Sequence, residues 1–166
     1  ATYLPSDRHG EGLMMTLSVR ENAAVNALNK LTSGIFVSRK KETSTVHASL
    51  KSIDVKAPSM DADVSALSGG NQQKVVLARE LSRDLRLLVA SQPTRGLDVG
   101  SIEFVHDQIV AVRDSGKPVL IVATELDEAT QLGDRIAVMY RGKIVGIVPA
   151  DTPREVLGQM MAGIKA

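Results

Sequence analysis

Cysteine is absent from all 166 residues. That excludes a disulfide framework, a zinc–thiolate site and a thiol nucleophile, and it suits a cytoplasmic location. Tryptophan is absent too, and Tyr3, Phe36, Phe104 and Tyr140 are the only aromatics, too few for a base-stacking platform. Neither sign of charge dominates: 20 Lys and Arg stand against 19 Asp and Glu, for a formal net charge of +1. A strongly basic nucleic-acid binder and an acidic tail protein are both excluded. Long apolar runs are missing, and Val119 to Ala123, among the longest, is far too short to span a bilayer. His9, His47 and His106 have no metal-ligand spacing among themselves and read as surface histidines. What remains is 43% hydrophobic and 23% charged residues, a globular composition at a length that buries a real core. No leader pattern precedes the fold. The chain opens on Ala1 rather than Met and reads as a piece of something longer.

Three regions are expected. Residues 1–66 begin with the end of a strand at Thr2-Tyr3-Leu4-Pro5 and continue as a small helical subdomain. There Ser18-Val19-Arg20-Glu21 is a capping-box pattern that starts a helix from Val19 to about Leu28. A second helix covers Arg39 to Ile53, and Pro58 opens a loop. Residues 67–150 turn to an α/β pattern, with a helix from Asn71 to Arg83 and a buried parallel strand at Leu87 to Ala90. Ile102, Val105, Ile109 and Val112 step by three and four, as an amphipathic helix requires. Val119 to Ala123 is a second buried strand, followed by a short helix at Glu125 to Gln131. Arg141-Gly142 is the turn of a hairpin between Ile136–Tyr140 and Ile144–Val148. Residues 151–166 form a last helix, announced by a capping pattern at Thr152-Pro153-Arg154-Glu155 and ending near Met161.

The sharpest chemical feature is Leu67-Ser68-Gly69-Gly70-Asn71-Gln72-Gln73-Lys74. A helix starting here points unpaired N–H groups and the positive end of its dipole at an anion. Ser68 caps that end or offers a hydroxyl donor, and the two glycines lack the Cβ that keeps a phosphate from the backbone. Alone, Ser-Gly-Gly reads equally as a linker that caps a helix. Its company is more specific. At the end of the next strand stands Ser91-Gln92-Pro93-Thr94-Arg95-Gly96-Leu97-Asp98, and past a further strand comes Thr124-Glu125-Leu126-Asp127-Glu128.

This order resembles the C-terminal two-thirds of an ATP-binding-cassette (ABC) ATPase. Ser68, Gly69, Gly70, Asn71 and Gln72 resemble its signature motif, and Leu87 to Gln92 its Walker B strand. Arg95 to Asp98 resemble the D-loop, Glu125 stands where the switch histidine belongs, and Ser6 is near the usual glutamine of a Q-loop. The Asn-Gln-Gln-Lys ending and the Pro-Thr-Arg-Gly-Leu-Asp run look most like the second cassette of tandem sugar and nucleoside importers. The fold implied is a partial P-loop NTPase core, a parallel sheet with a small helical subdomain. The resemblance further implies ATP and Mg²⁺ in a full assembly, with none held tightly by this chain alone. The implied partners are an N-terminal cassette of the same polypeptide, two transmembrane permease subunits and, indirectly, a substrate-binding protein, at the cytoplasmic face of the membrane. No nucleic-acid partner is expected.

The departures from the family pattern carry as much weight. No Gly-x-x-x-x-Gly-Lys-Ser/Thr occurs, so nothing wraps the β- and γ-phosphates. Ser91 replaces the Walker B Asp, and a neutral hydroxyl lacks the charge that helps hold Mg²⁺. Gln92 replaces the catalytic Glu and cannot accept a proton. Glu125 brings negative charge to the switch position. The expectation is a degenerate site in cis and an intact signature acting in trans on ATP held by a partner cassette. Asp98 is expected at the seam between cassettes, and equally as an N-cap of the helix from Val99. A non-catalytic docking or regulatory module is the alternative from another class. A DNA-repair relative is disfavoured by the lack of a heptad pattern, and a translation factor by the lack of a basic face. Met14 and Met15 are core filler or part of a groove for a membrane subunit. Arg39-Lys40-Lys41 is a solvated helix face or lies near lipid headgroups, and Asp7 with Arg8 makes a local ion pair. Missing strands would leave sheet surface uncovered, so the isolated chain is expected to self-associate.

Overall fold

A computed structural model describes residues 1–27, 32–33, 36–37 and 39–164. The chain divides into two compact units, Ala1–Leu120 and Ile121–Ala166.

The first unit carries strands β1 (Thr2–Leu4), β2 (Thr32–Ser33), β3 (Phe36–Val37) and β4 (Leu88–Ser91). Its helices are α1 (Val19–Ala24), α2 (Arg39–Ser52), α3 (Gly69–Leu81) and α4 (Val99–Asp114). β1 pairs in parallel with β4, in the register Thr2 to Leu88 and Leu4 to Ala90. The sheet order is β1–β4–β5, with β5 at Val119–Val122 straddling the boundary between the units. Parallel neighbours need a crossover, and here it is the whole run of residues 5–87, which holds the helical region and α3. β2 and β3 form a small antiparallel pair that the helical reading of residues 1–66 did not contain.

Local chemistry explains the helix boundaries. Ser18 Oγ accepts from the Glu21 amide at 3.2 Å, and Glu21 Oε2 accepts from the Ser18 amide at 2.8 Å, the reciprocal pair expected for α1. α1 passes into a tighter 3₁₀ turn at Val25–Ala27, and Leu28 lies outside the described residues. Behind the cap, Asn22 is fully buried. Its side chain accepts from the Met14 amide and donates to the carbonyls of Met14, Leu17 and Ser18. A buried amide with this many partners fixes the chain path into α1. Met14 is thereby held by its backbone with its side chain exposed, so it is not core filler.

α3 is the central helix of this unit. It packs against α1, α2 and β1, so burial extends round more of it than one amphipathic face. Val75, Val76, Leu77 and Ala78 are buried, and so is the ion pair of Arg79 with Glu80 at 2.9 Å. Asn26 Nδ2 donates to Glu80 Oε1 at 2.8 Å, which satisfies more of that buried carboxylate. β4 is buried at Leu88 and Ala90, as a covered strand should be. β5 departs from expectation: Leu120 is 55% and Val122 48% exposed. It is the last strand of its sheet, so an apolar run that reads as interior has one face open.

The second unit is built on an antiparallel hairpin, β6 (Arg135–Tyr140) and β7 (Lys143–Pro149). Its two-residue turn has Arg141 at φ +46° and Gly142 at φ +77°, the left-handed pair that matches the twist of a tight hairpin. α6 (Arg154–Met161) lays Leu157 and Met160 against Val138 of the hairpin. Pro153 stands at its N-cap, and Thr152 Oγ1 donates to the Pro149 carbonyl at 2.8 Å instead of capping the helix. α5 (Leu126–Leu132) adds Leu126 to this core and pairs Asp127 with Arg154. Met139, Ile144 and Ile147 remain exposed. Among the described residues no helix is long and apolar enough to cross a membrane.

Candidate functional site

The site is the N-terminus of α3 and what surrounds it. Ser68 is exposed, in extended backbone at φ −61° and ψ 156°, and caps the helix. Its Oγ accepts from the Asn71 amide at 3.4 Å and from Asn71 Nδ2 at 3.1 Å. With both acceptor positions directed back at Asn71, the hydroxyl proton is left to donate outward. The amides of Gly69 and Gly70 have no acceptor among the described residues, as the first turn of a helix requires unless a ligand supplies one. Three convergent donors with a helix dipole behind them fit a phosphate.

Below this turn the helix is bolted down by amides. Gln72 is buried, donates to the Val64 and Leu67 carbonyls, and meets His9 Nε2 through Oε1 at 2.8 Å. Gln73 is buried and donates to the Pro93 carbonyl at 2.9 Å, joining α3 to the loop after β4. Asn71 Oδ1 accepts from the Lys56 amide at 2.8 Å. The Asn-Gln-Gln run is therefore a set of struts, and only its first residue borders the open end.

The glycines serve packing. A Cβ on Gly70 would lie 2.1 Å from Ser101 Oγ and 3.4 Å from Asp98 Oδ2, so its hydrogen lets the starts of α3 and α4 touch. A Cβ on Gly69 would lie 3.1 Å from Arg8 Nη2. The approach of a phosphate, expected from the sequence, is not what the missing Cβ atoms serve: both Cβ directions are taken up by protein. Ser68 is exposed and Gly69 half-buried, whereas Gly70 is buried.

Asp98 caps α4: it accepts from the Ser101 amide at 3.0 Å and from Ser101 Oγ at 2.7 Å. The Ser101 hydroxyl, then its amide, hold the Asp98 carboxyl below the usual carboxylate range. A depressed carboxylate stabilises the fold above its unfolded pKa, and that contribution is lost as pH falls through the folded value. Ser101 was missed in the sequence, although it stands at the third helical position after Asp98, where a cap finds its partner.

β4 ends at Ser91, and Gln92 follows in the left-handed region at φ +45°. A residue other than glycine held there carries strain of about 1–3 kcal/mol. Turns from Arg95 N to Gln92 O and from Leu97 N to Thr94 O, each 3.1 Å, carry the chain on to Asp98. Ser91 and Gln92 are half-buried in the first unit, and Glu125 is exposed in the second, at the N-cap of α5 without a side-chain bond. Among the described residues no group of three or more His, Asp or Glu can hold a metal ion.

Ser6 is half-buried just after β1 and leads into one wide turn of π-helix at Arg8–Gly12. Asp7 caps that turn by accepting from the His9 and Gly10 amides at 3.1 and 3.0 Å. The Gly10 amide foremost lowers the Asp7 pKa. The expected Asp7–Arg8 pair gives way to longer reach, because Arg8 Nη1 donates to the Arg95 carbonyl at 2.9 Å. His47 is exposed and His106 half-buried; the side chains of Arg39, Lys40 and Lys41 lie outside those described.

Residues 2–95 match the ABC transporter family profile. The chain is 43% identical over 164 residues to the nucleoside import ATP-binding protein NupA of Lactococcus lactis, covering 97% of this chain and 32% of that protein. It is 44% identical over 164 residues to the guanosine import ATP-binding protein NupO of Bacillus subtilis, with the same 97% and 32% coverage. It is 36% identical over 165 residues to the ribose import ATP-binding protein RbsA of Hahella chejuensis, covering 98% of this chain and 33% of that protein. The chain thus spans about a third of the length of the curated relatives it matches. A dimeric ATP-binding cassette bound to ADP and Pi superposes with a TM-score of 0.72 at 22% identity, over 92% of this chain and 63% of that one. That likeness shows the fold.

Proposed function

Because this chain belongs to the ABC transporter family, we propose that it is part of the energy-coupling subunit of an importer for nucleosides or sugars. In this reading it donates its signature segment to an ATP site completed by another cassette. The observation that carries the reading is the exposed Ser68 hydroxyl beside the Gly69 and Gly70 amides, which have no acceptor among the described residues, on a helix end braced from below by Gln72 and Gln73. ATP bound by a partner supplies the phosphoanhydride that is hydrolysed. The Ser68 hydroxyl and the two amides face charge that grows on its γ-phosphate, which is where fixed donors lower a barrier most. Asp98 caps α4 beside this turn, at the seam between the two cassettes in this reading.

The chain's own nucleotide site is degenerate in this reading. Gln92 can orient water but cannot take its proton, Ser91 brings no charge to Mg²⁺, and Glu125 puts a carboxylate where a neutral or cationic donor serves better. The partners are a cassette in the same polypeptide, two permease subunits and, through them, a substrate-binding protein, all at the cytoplasmic membrane face. The open apolar residues Leu120, Met139, Ile144 and Ile147 support self-association of the isolated chain.

The degenerate site is tested by restoring its base. In the full-length ATPase reconstituted with its permease, Gln92→Glu is expected to leave ATP turnover close to the parent, because Ser91 and Glu125 remain. A working general base is worth about 10²–10⁴ in rate. A rise of that size on this one change contradicts a degenerate site.

A further inference from the structure

Residues 7–12 lie along one stripe of α3. Arg8 sits over Gly69, whose Cβ position is 3.1 Å from Arg8 Nη2. His9 Nε2 meets Gln72 Oε1 at 2.8 Å. A Cβ on Gly12 would lie 3.5 Å from Val76 Cγ2. Positions 69, 72 and 76 step by three and four, so they share one face of the helix. The wide turn that follows Ser6 is therefore a strap on the signature helix. π-type turns are rare and frequent at functional sites.

Arg8 also reaches past α3 to the loop after β4. Its Nη1 donates to the Arg95 carbonyl at 2.9 Å and its Nη2 to the Gly96 carbonyl at 3.5 Å. Its Nε is buried with no acceptor among the described residues. Gly96 sits at φ +69°, a conformation open to glycine, so the carbonyls that Arg8 holds belong to a left-handed turn. The Arg8 side chain thus leaves the strap after β1, passes beside the first glycine of α3 and bonds the loop leading to Asp98.

We propose that Arg8 is a positioning residue that ties the segment after Ser6 to the signature turn and the 95–98 loop, so that a displacement of the strap moves both. The inference rests on the reading of the signature as a donor in trans, and it adds the part that sets the donor's position. Arg8 does not itself touch nucleotide. The fork geometry of Arg spans two carbonyls, which a single ammonium does not reproduce.

The test uses the full-length ATPase with its permease, comparing Arg8→Ala and Arg8→Lys for kcat, KM for ATP and hydrogen exchange over residues 92–98. Misplacement of donors is expected to lower kcat by about ten- to a hundredfold in Arg8→Ala, with KM unchanged. The Leu97 amide, which bonds Thr94 O at 3.1 Å, is expected to exchange faster, while the interior of α3 keeps its protection. Arg8→Lys is expected to fall between parent and Arg8→Ala in both kcat and exchange. Parent-like kcat and exchange in Arg8→Ala overturn the proposal, as does a raised KM with unchanged kcat, which is the signature of nucleotide binding. If Arg8→Ala fails to fold, Arg8→Lys decides on the same readouts. Ser68→Arg runs alongside: if it leaves turnover intact, the trans-donor reading has failed, and exchange over 92–98 still decides whether Arg8 pins the loop.

Discussion

Replacing Ser68 by Arg is expected to lower ATP turnover of the full-length transporter by about 10²–10³-fold or more, the cost of losing one donor at a charge-developing oxygen. Two effects combine. The Ser68 hydroxyl donor is lost, and a long side chain crowds the start of α3. Loss of the cap is a smaller and separate effect. Replacing a capping Ser costs about 0.5–2 kcal/mol of stability, which does not unfold a domain of ordinary stability. Ser68→Ala removes the cap and the hydroxyl but leaves the amides open, so it is expected to retain more turnover than Ser68→Arg. Steady-state hydrolysis alongside thermal melts separates the two effects. Equal turnover in parent and Ser68→Arg contradicts a donor role.

Gly70→Ala is the second large effect, and its direction opposes intrinsic propensity. Alanine in a helix is favoured over glycine by about 1 kcal/mol, so an open position would gain stability. Here the new Cβ lands 2.1 Å from Ser101 Oγ, and α3 and α4 must separate or Ser101 must turn away from Asp98. Overpacking of this kind costs about 1–3 kcal/mol, so destabilisation is expected to win, with a loss of turnover because the seam shifts. Removing the obstructing hydroxyl with Ser101→Ala in the Gly70→Ala background is expected to restore part of both. The pair should couple by about 0.5–3 kcal/mol in a double-mutant cycle. Independent, additive effects contradict the contact.

The caps show which parts of the fold local sequence determines. Ser18 with Glu21, Ser68 before α3 and Asp98 before α4 all sit where reading placed them, because a cap is decided within four residues. The hairpin at Arg141-Gly142 is local in the same way. α3 begins at Gly69 rather than Asn71, since tertiary support from Gln72 and Gln73 lets two poor helix formers make its first turn. Thr152 misled because its hydroxyl found the Pro149 carbonyl instead of a helix amide. β5 misled because an apolar run does not say whether its cover is present.

The candidate site divides along the same line. The donors at Ser68 and the cap at Asp98 were readable from their own neighbours. The contacts that brace them were not. Arg8 bonds Arg95 across 87 positions, and His9 meets Gln72 across 63. No periodicity links such residues, and their types are ordinary surface types. Ser91, Gln92 and Glu125 were singled out by their departure from a family pattern, and the strained φ of Gln92 adds an independent reason to look there.

The direct test of whether Ser68 faces a nucleotide held by another cassette is cross-linking in a full-length protein stripped of any other cysteine; residues 1–166 contribute none. One cysteine is placed at Ser68 (S68C) and one in the phosphate-binding loop of the other cassette in the full-length protein. Oxidative cross-linking is then scored with and without ATP under non-hydrolysing conditions. A cross-link between these two positions is expected, with a yield that changes when nucleotide occupies the space between them. No cross-link in either condition, with both cysteines reactive to a small thiol reagent, contradicts a donor role in trans and leaves the chain as a docking module that keeps the signature turn for packing.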